Sequence, residues 1–202
     1  MNGPSGDDGG SLTKTGTGTL DLGGSNTYSG GTTVNQGTLL LTASDGNSRT
    51  VKGTVNVNAG TLGGGGVVGG AATIGDGIGT DAFLSPSEEV NVRKTLAIRG
   101  LLTVQGDASY LYRLDTTLSR GDSVAANGVT IKSNAVFSLI DTGGGVLLAG
   151  TVFTAIRNGA ETPIAGTFGN LADGSTIVVG NNSYLVSYEG GDGNDLTLTV
   201  VP

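Results

Sequence analysis

The residues able to do chemistry in this chain are carboxylates, hydroxyls and a few cations, because it contains no histidine and no cysteine. Neither a Ser/His/Asp nor a Cys/His nucleophile system can form, and imidazole or thiolate zinc sites are excluded. A glycoside hydrolase would need two carboxylates converging at about 5–9 Å. Glu88 and Glu89 are adjacent, so in a strand they would point to opposite faces. Asp115, Asp122 and Asp141 are scattered near turns. We therefore expect no enzymatic activity.

One acidic turn near the C-terminus could bind an ion. The sequence of Gly190–Asp195 has the GGxGxD spacing of a calcium-binding nonapeptide repeat. Repeats of that kind share each ion between neighbouring turns, so a single copy supplies only half a cage. We expect a glycine-rich turn before the last strand and no cofactor. If calcium does bind, its expected ligands are Asp192, Asn194 and Asp195.

A second short motif is the tripeptide formed by Arg120, Gly121 and Asp122. Integrins read Arg-Gly-Asp when an exposed loop displays it. The tripeptide also arises easily by chance in a chain rich in Gly and Asp, and Gly-Asp is an ordinary turn dipeptide. It is therefore a binding hypothesis beside the simpler interpretation as a turn.

Composition excludes several classes of protein. The net charge is −7 with only 10 Lys and Arg, which argues against nucleic acid and anionic membrane surfaces as partners. No apolar run approaches 18 residues, so we expect no direct membrane insertion. The 39 Gly show no three-residue period, which excludes collagen. With 36% hydrophobic residues the chain should fold, and its backbone must be satisfied mostly within sheets.

A repeat of strand and turn predicts the architecture. Val34–Leu39 and Val57–Leu62 read VNQGTL and VNAGTL at a separation of 23 residues. A period of 20–50 residues is the signature of a solenoid. We expect the glycine of each copy, Gly37 or Gly60, to need a positive φ. No window has a 3.6-residue apolar period, so essentially no helix is expected. The prediction is an all-β, right-handed, single-stranded β-helix with a β-rich C-terminal cap.

The repeat can be followed further by the geometry of its turn. Gapless alignment of Thr103–Ser109 and Thr130–Val136 on Thr33–Leu39 places Asp107 and Asn134 at the glycine position. Asp and Asn are the residue types that best tolerate positive φ after Gly. The alignment therefore predicts that the repeat extends to about residue 140.

We divide the chain into three segments. Residues 1–10 are expected to be a disordered or added N-terminus, 11–140 the β-helix repeats, and 141–202 a C-terminal cap. Seven of the nine aromatic residues lie in the second half: Tyr110, Tyr112, Phe137, Phe153, Phe168, Tyr184 and Tyr188. A thicker, aromatic end would cover the strand edges that an open solenoid exposes.

The longest stretch of the first repeat resembles a known family. Lys14–Leu41, with NTYSGGTTVNQGTL at Asn26–Leu39, resembles the passenger-associated transport repeat, also called the autotransporter-associated β-strand repeat. Ala165–Val200 is similar to the segment that commonly closes such passengers. The resemblance implies export to the bacterial surface or extracellular space, and a role as a stalk or folding nucleus. The implied partners are neighbouring repeats of a longer passenger, in a chain expected to be monomeric.

Two other functions stay open. An adhesin would contact a host protein or glycan through segments 81–92 and 116–128, which we predict to be loops. A carbohydrate-active β-helix enzyme would have to work with the carboxylates named above. A glycan array tests the first alternative, and an activity screen on acidic and neutral polysaccharides tests the second.

Overall fold

A computed structural model describes residues 9–42, 50–87 and 93–202. Residues 1–8 of the predicted N-terminal segment and the Glu88-Glu89 pair lie outside the described residues. The described chain consists of short β-strands joined by turns and contains no helix, so the prediction of an all-β solenoid is confirmed. It accordingly contains no helix long and apolar enough to cross a membrane.

The strands follow one another in groups that contribute in turn to three sheets, except for the last group, which lies entirely in one sheet. The first four groups are β1 Leu12–Lys14, β2 Thr19–Asp21 and β3 Ser25–Asn26; β4 Thr32–Val34, β5 Thr38–Leu41 and β6 Thr50–Val51; β7 Val55–Val57, β8 Gly60–Gly64 and β9 Val67–Val68; β10 Ala72–Ile74, β11 Ala82–Ser85 and β12 Thr95–Ile98. The next strands are β13 Leu102–Val104, β14 Ala108–Asp115, β15 Arg120–Gly121 and β16 Ser123–Ala126; β17 Val129–Ile131, β18 Val136–Asp141 and β19 Val152–Asn158; β20 Thr176–Val179, β21 Asn182–Gly190 and β22 Asp195–Val201.

As far as β19, the strands of each sheet stack in the order in which they occur along the chain. Sheet 1 has the order β1-β4-β7-β10-β13-β17. Sheet 2 has the order β2-β5-β8-β11-β14, and β14 also pairs with β18 in parallel and with β15 in an antiparallel manner. Sheet 3 runs β3-β6-β9-β12-β16-β19 and continues through β22 and β21 to β20. Pairing in sheet 3 is parallel as far as β19 and antiparallel beyond it. A parallel coil therefore ends in an antiparallel section.

Every sheet turns one face to a shared core. In sheet 2 the inward column consists of Leu39, Leu62, Leu84, Tyr110 and Phe137, each opposite the next. All five side chains are buried. Because the column changes from leucine to aromatic rings toward the C-terminus, the core becomes wider at that end.

The predicted turn geometry holds at three of its four positions. Gly37 (φ 77°), Gly60 (φ 99°) and Asn134 (φ 74°) all lie in the left-handed region. A Cβ at Gly60 would also contact the main chain of Gly37 directly beneath it. The prediction is wrong for Asp107, which has no positive φ. Its carboxylate instead accepts a hydrogen bond of 3.1 Å from the main-chain N–H of Asp76.

The gapless alignment is wrong by one residue in sheet 2. Tyr110 and Phe137, not Ser109 and Val136, lie in the column of Leu39. Tyr110 follows Val104 by six positions and Phe137 follows Ile131 by six, whereas Leu39 follows Val34, in the same two columns, by five. Because side chains alternate between faces, this shift decides which residue is buried. Val136 is 41% exposed, whereas Phe137 is 4% exposed.

The two predicted loops are partly strands. Residues 82–85 form β11, which pairs on both sides within sheet 2 and buries Ala82 and Leu84. Segment 116–128 contains β15 and β16. Both loop predictions were wrong there, because the alternation of inward and outward side chains covers only a few residues and is flanked by polar residues. Residues 88–92 of the first loop lie outside the described residues.

Candidate functional site

Four aromatic side chains form a cluster where the coil meets the antiparallel section. The ring centroids of Tyr110 and Phe137 are 5.5 Å apart, those of Phe137 and Phe168 are also 5.5 Å apart, and those of Tyr112 and Phe137 are 5.6 Å apart. Phe168 comes from the segment between β19 and β20 and is 1% exposed. Such pairs contribute roughly 0.5–1.5 kcal/mol each beyond the burial of their area. The aromatic cluster therefore joins the last strands of sheet 2 to the residues that follow β19.

Two tyrosine hydroxyls connect this cluster to the main chain. The Tyr110 hydroxyl donates to the carbonyl of Ala155 at 2.9 Å. The Tyr188 hydroxyl donates to the carbonyl of Leu171 at 2.9 Å and accepts from the N–H of Phe168 at 3.0 Å. Burial raises the pKa of Tyr188 to about 12, although the hydrogen bond from Phe168 acts in the other direction. Tyr188 therefore stays a neutral donor near neutral pH.

Asn170 completes the exposed edge of sheet 2. Its side-chain Oδ1 accepts from the N–H of Phe137 at 2.8 Å, and its Nδ2 donates to the carbonyl of Phe137 at 2.8 Å. The amide thus reproduces the pair of bonds that a neighbouring strand would make to β18. An unpaired strand edge invites association with another chain, so this contact has a protective role.

Asn158 and Asn182 make comparable contacts elsewhere. Asn182 accepts from the N–H of Leu147 at 2.7 Å and donates to the carbonyl of Gly145 at 2.8 Å. Asn158 accepts from the N–H of Gly128 at 3.1 Å. Sequence reasoning missed all three asparagines because Asn in a glycine-rich β chain is typical of an ordinary turn.

Sheets 1 and 3 are also continued by residues after 141. The main chain of Ala165 accepts from the N–H of Ile131 at 2.8 Å and donates to the carbonyl of Val129 at 2.9 Å, which covers β17. Sheet 3 is extended by the antiparallel strands β22, β21 and β20. The boundary at residues 140 and 141 stays a prediction, and β18 spans it with the bounds Val136–Asp141.

The calcium candidates lie in the turn between β21 and β22. Asp192 is exposed, while Asn194 and Asp195 are buried. Asp195 Oδ1 accepts from the N–H of Asn158 at 2.8 Å, and Asn194 Nδ2 donates to the carbonyl of Ala160. No group of three or more acidic side chains is placed to hold a metal among the residues that the structure describes. The expectation of no cofactor stays a prediction, which thermal melts with calcium and with a chelator would test.

The Arg-Gly-Asp tripeptide is not displayed on an open loop. Arg120 and Gly121 form β15, and the side chain of Asp122 is 3% exposed. Asp122 Oδ1 accepts from the main-chain N–H of Lys94 at 3.0 Å. Burial raises the pKa of Asp122 to about 6, although that hydrogen bond and the charge of Arg113 act to lower it. Only Arg120 of the three is accessible to a partner.

The other carboxylates considered for catalysis hold turns. Asp115 Oδ1 accepts from the N–H of Leu118 at 2.9 Å. Asp141 Oδ1 accepts from the hydroxyl of Thr116 at 2.7 Å and from the N–H of Gly143 at 2.9 Å. Burial acts to raise the pKa of Asp141, but these hydrogen bonds outweigh it and lower the pKa. Asp141 is therefore an ionised acceptor, which suits a structural anchor better than a general acid.

Comparison with known proteins identifies the first repeat. Residues 12–41 match the family model described as the passenger-associated transport repeat. A curated protein named extracellular serine protease, from Serratia marcescens, is 41% identical over 95 residues. That match covers 41% of this chain and 9% of the relative, so the chain spans a small part of its length. The resemblance predicted from the residues is confirmed.

Proposed function

We propose that this chain, which carries a passenger-associated transport repeat at residues 12–41, is a non-catalytic stalk and folding-nucleus segment of an exported bacterial surface protein. One observation carries the proposal: parallel stacking runs without interruption from β1 to the last coil and ends at the aromatic cluster. The enzymatic description of the Serratia marcescens relative belongs to that protein.

The stalk part of the proposal follows from the way each coil contacts its neighbours. Stability of a solenoid is approximately a sum of intrinsic terms and nearest-neighbour interfaces. Asn58 Nδ2 donates to Asn35 Oδ1 at 2.9 Å, which links equivalent turns of successive coils. In the described residues β1, β2 and β3 pair on one side only, so the N-terminal end offers unpaired edges to a preceding repeat. Neighbouring repeats of a longer passenger are the partners that these edges fit.

The folding-nucleus part follows from an asymmetry between the ends. Strands β1 to β7 contain two to four residues each, whereas β21 has nine and β22 has seven. β21 and β22 form an antiparallel hairpin, and such local pairing closes faster than pairing across a whole coil. The C-terminal section can therefore form first and provide edges on which earlier coils assemble.

Hydrogen exchange followed by mass spectrometry tests the proposal on the intact chain. The slowest-exchanging amides should lie in β14, β18, β19, β21 and β22, with protection decreasing toward β1. Uniform protection, or slowest exchange in the first coils, would contradict the nucleus. A screen on acidic and neutral polysaccharides should show no turnover; turnover would contradict the non-catalytic role.

A further inference from the structure

The outer side of sheet 3 contains a cavity of about 430 Å³ beside the β14–β15 hairpin. This volume lies within the roughly 300–1,000 Å³ that is typical of small-molecule sites. On the side of β19 that faces β16, pairing begins at Ile156, and the register with β16 does not include Val152–Thr154. Residues 151–154 therefore form one wall of the cavity.

A buried hydroxyl without a partner lines this cavity. Tyr112 is 0% exposed, and its hydroxyl has no hydrogen-bond partner among the described residues. Gly121 lets that hydroxyl pack against the main chain, because a Cβ at this position would collide with the oxygen. A buried polar group without a partner costs roughly 1–3 kcal/mol. A ligand that accepts or donates a hydrogen bond at Tyr112 would remove this cost.

Two arginines and a pair of hydroxyls share the cavity. Arg93 and Arg157 are both exposed, and neither makes an ion pair with a carboxylate in the part of the chain that the structure describes. The hydroxyls of Thr95 and Ser123 lie 2.7 Å apart and also line the cavity. Burial and the charge of the buried Asp122 carboxylate raise the pKa of Tyr112, and the charge of Arg93 opposes them, which places this guanidinium within electrostatic range of the hydroxyl.

A second cavity of about 410 Å³ continues the first along sheet 3. The two cavities share Ala125 and Arg157, and the second adds Arg99. Ala97, Ala125 and Arg157 are consecutive partners in the sheet, so two small side chains leave a shallow passage on the outer face. Three of the six arginines thus line one groove in a chain whose net charge is −7. We call these two cavities the arginine groove.

We propose that the arginine groove binds an oligosaccharide that carries carboxylate groups. A guanidinium presents paired donors that match a carboxylate, so Arg93, Arg99 and Arg157 can each hold an acidic sugar. The hydroxyls of Tyr112, Thr95 and Ser123 suit the alcohols of the same ligand. The two joined cavities fit a chain of sugar units better than one small anion. This activity goes beyond the stalk role, and its absence would leave that role unaffected.

Isothermal titration calorimetry on the 202-residue chain tests the proposal with an oligogalacturonate as the probe. A neutral oligogalactoside of equal length controls for sugar recognition, and polyglutamate controls for charge alone. We expect the oligogalacturonate to bind and both controls to bind at least about tenfold more weakly. No binding of the oligogalacturonate, or equal binding of either control, would overturn the proposal.

Variants then locate the site. Arg157→Gln should weaken binding by about tenfold or more, the effect of losing one charge-assisted hydrogen-bonded pair. Tyr112→Phe should weaken binding severalfold without lowering thermal stability, because the hydroxyl it removes has no partner. Lys132 is an exposed cation that directly follows β17 in sheet 1, and Lys132→Gln should leave binding unchanged. Equal losses in Arg157→Gln and Lys132→Gln would show non-specific attraction and overturn the assignment to this groove.

Discussion

The side-chain amide of Asn170 pairs with the main chain of Phe137 through two hydrogen bonds, each 2.8 Å long. Phe137 is the last member of the inward column of sheet 2 and a member of the aromatic cluster. One asparagine therefore covers the edge of β18 next to the side chain that fills the end of the core. This contact joins edge protection and packing in the section that we propose to nucleate folding.

Replacement of Asn170 tests the edge contact. Asn170→Ala removes both hydrogen bonds and should lower the free energy of unfolding by about 1–3 kcal/mol, measured by urea denaturation. Asn181→Ala is the matched control, because the Asn181 amide makes one longer bond of 3.2 Å, to Gly144, at an exposed position. Equal and small losses in the two variants would show that the Phe137 contact contributes nothing.

Truncation of Phe168 tests the aromatic cluster. The side chain is 1% exposed, so Phe168→Ala should create a cavity and cost about 3–5 kcal/mol in urea melts. Val178→Ala, in the same section but at a side chain that is 71% exposed, should cost less than about 0.5 kcal/mol. An unchanged midpoint for Phe168→Ala would remove this residue from the core.

The left-handed turn at Asn134 makes a prediction about backbone preference. With φ at 74°, Asn134→Gly should leave stability nearly unchanged, whereas Asn134→Ala should cost roughly 1–2 kcal/mol. Asp107→Gly is the comparison, because Asp107 lies at the aligned position without a positive φ and should lose stability with glycine. Chemical denaturation of the three variants checks the order, and a stable Asn134→Ala would contradict it.

The pH dependence of stability tests the burial of Asp122. Burial raises the folded-state pKa of Asp122 to about 6, above the ordinary value of 3.8. The folded state therefore holds the proton more tightly, and Asp122 should cost stability progressively as the pH rises from about 4 to about 6. Asp122→Asn should reduce the fall in stability between pH 4 and pH 7, measured by urea melts at both values. Asp192→Asn, at an exposed site, is the control and should lose as much stability between pH 4 and pH 7 as the unmodified chain. The same loss in Asp122→Asn would contradict the raised pKa of Asp122.

The features that could be predicted from the sequence are those set by neighbouring residues and repeated from coil to coil. The period, the absence of helix from residues 9–42, 50–87 and 93–202, and the positive φ of Gly37 and Gly60 follow from alternating strands and tight turns, and all agree with the structure. The position of Asn134 was also predicted correctly, because few residue types tolerate that geometry. The concentration of aromatic residues in the second half predicted a thicker end, and Phe168, one of these residues, is buried.

Features that depend on contacts between distant residues were not predictable. A turn longer by one residue places Phe137 rather than Val136 in the core, and nothing local marks the insertion. The pairing of Asn170 with Phe137 spans 33 residues. The arginine groove likewise requires Arg93 and Arg157, which are 64 positions apart in the sequence, to line one cavity. The conformational preferences of single residues do not specify which residues of neighbouring coils lie next to each other.

The measurement that tests the central claim most directly is thermal unfolding of the intact chain and of a fragment ending at Thr142. The fragment lacks β19 to β22 and Phe168, and it exposes the rest of the aromatic cluster. If the C-terminal section nucleates and covers the coil, the intact chain should unfold cooperatively and the fragment should show no cooperative transition. A fragment that unfolds cooperatively at the same temperature as the intact chain would contradict the claim.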